Sequence, residues 1–170
     1  MIPFAKPIRA AIGALNAVPY DVIALIARAA TFSVFIRSGT QKLLDWNSTL
    51  LLFQNEYHTP VLPPVVAAYT ATTLEIGCSS LILVGLLTRV STLLLLGMTA
   101  TIQIFIYPDA WPTHIQWLAF MIVLVLRGPG RVSLDALIGP RLLGAPAGTG
   151  SRKTADRFSA RDPLSPSNRA

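Results

Sequence analysis

The chain has 170 residues, 52% of them hydrophobic and only 13% charged, with a formal net charge of +6. Soluble domains carry roughly 25% charged residues, so this composition, with a mean hydropathy of +0.56, argues against a water-soluble core protein. The single cysteine, Cys78, excludes an intrachain disulfide, and two histidines, His58 and His114, exclude most multi-histidine metal centres.

Residues 1–18 form an arm in which Phe4, Ile8, Ile12 and Leu15 recur at helical spacing, with Lys6, Arg9 and Asn16 elsewhere on the wheel. That pattern predicts a short helix lying at a membrane interface. A cleaved signal peptide is the rival reading, but Gly13 and Asn16 interrupt its apolar patch. Apolar blocks then follow at 22–35, 65–87, 90–107 and 111–126. A membrane-spanning helix needs ~20 such residues. The second and third blocks meet this directly, the first does so over 19–35 if it tolerates Arg28, and the fourth is short. Continuous rather than alternating runs argue against a β-barrel.

Residues 37–64 read as the longest internal loop, in which Leu43, Leu44 and Trp46 extend the first helix and residues 50–53 form a short helix of their own. The links after the second and third blocks are short, and short links make antiparallel neighbours. The fold class expected over 19–143 is therefore all-α, an up-down four-helix transmembrane bundle. Gly128, Pro129 and Gly130 stop the last helix, and Ser133 caps an amphipathic turn over 133–137. Residues 144–170, rich in Gly, Pro, Ala, Ser and arginine, read as a disordered basic tail.

Basic residues set the expected orientation. Lys6, Arg9, Arg89, Arg127, Arg131, Arg141 and the tail fall on one side, against Arg37 and Lys42 on the other. The positive-inside rule then places both termini in the cytoplasm of a cell with a plasma (inner) membrane. This charge pairs with anionic lipid, and no aromatic-interleaved basic motif points to nucleic acid.

Inside the bundle, Glu75 is the costly residue, since a charge at a helix centre costs at least about 2.5–3.5 kcal/mol and so faces a partner or a cavity. It lies roughly 18 Å along its helix from Leu87, and Arg28, on the first span, is the partner expected at matching depth. Polar stripes accompany them: Arg28, Thr31 and Ser38; Thr72, Glu75 and Ser79; Thr92, Thr99 and Gln103. Arg28, Thr72, Glu75, Thr99 and Gln103 are the expected intramembrane site. Three readings stand: a structural ion pair with Gln103 bonding between helices, a site for a polar head group or a proton, or an Arg28 that snorkels to the cytoplasmic surface and never meets Glu75. The fourth span, with His114 and Gln116, reads as a packing helix, and His58 and His114 as loop-edge residues with no metal.

Arg28 followed by Ser38, Gly39, Thr40, Gln41 and Lys42, then Glu75, Ile76 and Gly77, the run 81–89, and Gly128 through Asp135 together resemble the DoxX family of small four-helix membrane proteins. The family is named for a small subunit of an archaeal terminal quinol oxidase and is related to thiosulfate:quinone oxidoreductase. The resemblance implies an accessory subunit of a quinone-linked redox complex rather than a complete enzyme, with quinone as the cofactor to consider and Arg28, Lys42, Glu75 and Arg89 as matched polar positions. Membrane lipid, redox subunits and a second copy of the chain are the partners considered. A proton or solute relay, or an anchor recruiting a soluble partner through the tail, are the alternatives.

Overall fold

A computed structural model of the chain describes residues 5–57 and 62–142. The chain divides into two units, residues 1–138 and 139–170. In the second, the described residues 139–142 are helical, and the expected disorder of 144–170 lies outside the described residues.

In chain order, α1 is Ala5–Asn16 and exposes Ile8, Ile12 and Leu15. Next come α2, Tyr20–Leu44, and α3, Trp46–Asn55. Beyond these lie α4, Pro64–Val84, α5, Thr88–Ile106, and α6, Pro108–Arg127. The last is α7, Leu134–Leu142. Of these, α2, α4, α5 and α6 are long and apolar enough to cross a membrane. No strand occurs among the described residues.

One boundary corrects the sequence reading. α2 runs 25 residues, so the helix does extend through Leu43 and Leu44, carrying Ser38 and also Arg37 and Lys42 on its last turns rather than in a loop, while Trp46 begins α3. No proline interrupts 38–44, and the helix stops only at Asp45, whose side chain accepts from the Ser48 N–H at 3.1 Å and starts α3. α4 ends at Gly85, whose φ of +74° suits glycine. There the Leu86 N–H reaches back to the Leu81 carbonyl at 2.9 Å, closing the helix with a Schellman-type bond.

Packing is inverted relative to a soluble domain. Leu25, Ile26, Leu93, Leu94, Ile104, Phe105, Ile122 and Leu126 all point outward. Buried positions include Thr31, Thr72, Ser79, Thr92 and Thr99 beside Phe35, Ile82, Leu95, Met121 and Leu124. Small polar residues let helix backbones approach, which is the main means of association in lipid. Thr31, Thr72, Thr92 and Thr99 each return their hydroxyl to the carbonyl four residues earlier, at 2.6–2.8 Å. Their hydroxyls are thus satisfied without a ligand.

Gly39 permits a close approach of α2 to α4. A Cβ there would fall 2.6 Å from Ile76 Cγ1 and 3.1 Å from the Cβ of Glu75. The absence of a side chain at Gly39 therefore lets α2 lie directly against the Glu75 turn. That contact sets the position of the site.

Candidate functional site

Glu75 sits on a π-turn, Leu74–Cys78, in the middle of α4. A second π-turn, Ile102–Ile106, ends α5 and carries Gln103. Such wide turns insert a residue into the helix, re-aim side chains, and are frequent at functional sites. No local motif in the sequence announces either one.

Glu75 is buried, with only 3% of its surface exposed. Its partner is Lys42, whose Nζ lies 2.8 Å from both carboxylate oxygens. Ser38, one turn before Lys42 on α2, donates to Glu75 Oε1 at 3.1 Å and accepts from Lys42 Nζ at 2.8 Å. The three groups form a closed triad in which all three ammonium protons are used. Oε1 accepts two bonds and Oε2 accepts one, so the carboxylate keeps acceptor capacity on Oε2.

The expected Arg28–Glu75 pair does not form. Arg28 donates through Nε to the Ile82 carbonyl at 2.9 Å, through Nη1 to Val132 at 2.5 Å and Pro129 at 3.4 Å, and through Nη2 to Leu83. The last carbonyls of a helix lack the usual intrahelical donor, and the guanidinium, with five N–H groups in a fixed fork, donates to carbonyls at the end of α4 and in the turn after α6. Fourteen residues further along α2, Lys42 is the cation that lies at the depth of Glu75. The polar stripe on α2 extends beyond Ser38 to Lys42 at i+4, and this was its readable signal.

A cavity of about 530 Å³ opens beside the triad. Phe35, Leu74, Met98, Ile102, Ile106 and Trp117 supply apolar wall, and Ser38, Lys42, Glu75, Thr101 and His114 supply polar atoms. Tyr57 and Tyr107 also line it, with Phe53 packed edge-on against Tyr57 at 4.9 Å and Tyr57 against Tyr107 at 5.7 Å. The Tyr107 hydroxyl donates to Glu56 Oε1 at 2.7 Å and lies 3.3 Å from the Tyr57 hydroxyl. Burial first, then these neighbours, pushes its ionisation well above the ordinary value for tyrosine.

Of the residues expected to form the site, only Glu75 lines the cavity. Thr72 and Thr99 are buried and bonded to their own helices. Gln103 instead joins α5 to α6: its Nε2 donates to the Pro108 carbonyl at 2.5 Å and its Oε1 lies 2.6 Å from His114 Nδ1. With the amide so oriented, His114 Nδ1 is the donor and carries the proton. His114 is buried and stacks near Trp117, so α6 contributes site residues and is more than a packing helix. His58 lies outside the described residues. Among the described residues no cluster of His, Cys, Asp or Glu is disposed to hold a metal.

Four lipid-facing spans, a buried ion pair and an apolar cavity beside it define a small multi-pass membrane protein. The family model for DoxX matches residues 23–108, from the start of α2 to the start of α6, and the chain belongs to the DoxX family. No curated protein and no solved structure matches the chain.

Proposed function

We propose that the protein is an accessory subunit of a quinone-linked redox complex of the inner membrane, and that the cavity between α2, α4, α5 and α6 receives the ring of a quinol. In this reading the four spans run up and down, both termini lie in the cytoplasm, which the distribution of lysine and arginine supports, and α1 rests on the membrane surface, which its apolar spacing supports.

The observation that carries the proposal is the cavity's character: apolar on nearly all sides, with one buried carboxylate held by a lysine at its end. Volumes of about 300–1,000 Å³ with a few convergent polar groups are typical of small-molecule sites. Because Lys42 spends its protons on Glu75 and Ser38, the open hydrogen-bonding capacity of the triad itself is that of an acceptor, on Glu75 Oε2, while Arg37 and Gln41 line the cavity elsewhere. A hydroxylated ring satisfies it, whereas a ring bearing only carbonyls meets a lone pair with a lone pair. The reduced quinol is therefore the form that the Glu75 end of the cavity favours.

A relay through the bundle has less support. Along the helices, Ile82, Leu95, Met121 and Leu124, all fully buried, lie between the triad and Arg28, and the Thr92 and Thr99 hydroxyls there are committed to backbone.

Native mass spectrometry of the protein extracted with its own lipids tests the reading by recording bound small molecules and partner subunits together. A retained quinol that is lost in Glu75→Gln but kept in Arg28→Lys is the expected result. Retention unchanged in Glu75→Gln would contradict the site, and absence of any redox subunit would contradict the accessory role.

A further inference from the structure

At the end of the bundle away from Glu75, four segments meet. The Tyr20 hydroxyl at the start of α2 donates to the Gly128 carbonyl at 2.6 Å, just after α6. Asp135 at the start of α7 accepts from the Leu87 and Thr88 N–H groups at 2.7 and 2.9 Å, just at the start of α5. Asp21 accepts from the Arg131 N–H at 2.6 Å. The groove between these segments is lined by three arginines, Arg89, Arg127 and Arg131.

The two carboxylates in the groove are engaged with backbone donors, and among the described residues none of the three guanidiniums makes an ion pair. Arg127 lies flat over the Tyr20 ring, 4.6 Å from its centroid, which holds it in place. Arg89 lies against the turn after α6, where a Cβ on Gly128 would meet its guanidinium at 3.6 Å. The groove thus collects three cations, drawn from the start of α5, the end of α6 and the following turn. Convergent guanidiniums are the usual means of recognising phosphate oxygens, which they bind in a bidentate fork.

We propose that this groove is a binding site for the phosphate of an anionic phospholipid headgroup. The source is lipid rather than free phosphate because exposed apolar side chains adjoin the arginines. Leu87 and Val90 line the same groove, and Leu126 immediately precedes Arg127. A headgroup held by the arginines places its acyl chains along these residues and the outer face of α5 and α6.

The test uses the full chain, delipidated in detergent and offered phosphatidylglycerol or phosphatidylcholine, with retained lipid counted by native mass spectrometry. Phosphatidylglycerol is expected to be preferred, with Arg89→Gln and Arg131→Gln each reducing its retention about fivefold, the share of one basic residue at an anionic surface. Arg89→Lys, which keeps the charge, is expected to retain most of the preference, and Arg9→Gln on α1 to leave it unchanged. Thermal unfolding of each variant shows that the bundle is intact. Equal retention of the two lipids would overturn the site. So would an equal loss on Arg9→Gln, which would mean diffuse surface charge. Displacement of phosphatidylglycerol by millimolar inorganic phosphate would overturn the lipid as its source.

Discussion

The protein buries two charges on facing surfaces of the same helices and satisfies them in opposite ways. Arg28 is answered by backbone: carbonyls from the end of α4 and from the turn after α6 surround it, and a Cβ on Gly85 would lie 3.0 Å from its guanidinium carbon. Glu75 is answered by side chains, Lys42 and Ser38, and borders a cavity. Backbone partners cannot titrate or leave, so the Arg28 end works as a rivet between helix ends. Side-chain partners at a cavity can be rearranged by a ligand, so the Glu75 end is where binding can occur. A charge inside a membrane protein is thus not by itself a functional mark, and the nature of its partner separates the two cases.

The sharpest way to break this contrast is at Arg28. Arg28→Met leaves several buried carbonyls without donors and is expected to cost about 3 kcal/mol or more of stability, seen as a large fall in the thermal midpoint in detergent. Lys42→Met leaves the Glu75 carboxylate buried without a cation and is expected to cost about 3 kcal/mol. The double variant Lys42→Met/Glu75→Gln should recover most of that loss, whereas no change at Glu75 should rescue Arg28→Met. Equal rescue at both ends would erase the distinction.

Gly39→Ala comes next. Its Cβ meets Ile76 and Glu75 within 3.1 Å, forces α2 away from α4, and is expected to cost about 1–3 kcal/mol. Because it moves Ser38 and Lys42 together, it should weaken ligand retention as well as stability. The smallest effect is expected at Asp45, which is exposed and whose carboxyl the Ser48 hydrogen bonds hold below its ordinary value near 3.8. A carboxyl depressed on folding stabilises above its unfolded pKa and loses that contribution as pH falls through the folded one. The protection factor of the Ser48 amide should therefore fall only below about pH 4, and in Asp45→Ala it should be low at every pH.

Much of the architecture was legible as sequence. Continuous apolar blocks identified the four spans, Ser133 was readable as a cap, and its hydroxyl does accept from the Ala136 N–H at 3.2 Å. The cost of burying Glu75 singled it out before any partner was known. Its partner was legible only in part: the stripe through Ser38 continues to Lys42 at i+4, but Lys42 reads with the loop, and α2 continues through it. The π-turns at Glu75 and Gln103 were also invisible, since they depend on how helices pack rather than on any residue pattern. Thr72 and Thr99 share the polar stripes but spend their hydroxyls on their own helices, something that spacing alone does not separate from lining a site.

The central claim, that the Glu75 end binds and the Arg28 end only holds, is tested most directly at Trp117, which lines the cavity. In a chain carrying Trp46→Phe and Trp111→Phe, Trp117 fluorescence is titrated with a short-chain benzoquinol and, separately, with the matching quinone. The account predicts saturable quenching that is stronger for the quinol and is abolished both by Glu75→Gln and by Lys42→Met/Glu75→Gln, the double variant keeping most of the thermal midpoint. Quenching that is linear, equal for the two forms, or indifferent to Glu75→Gln would contradict it.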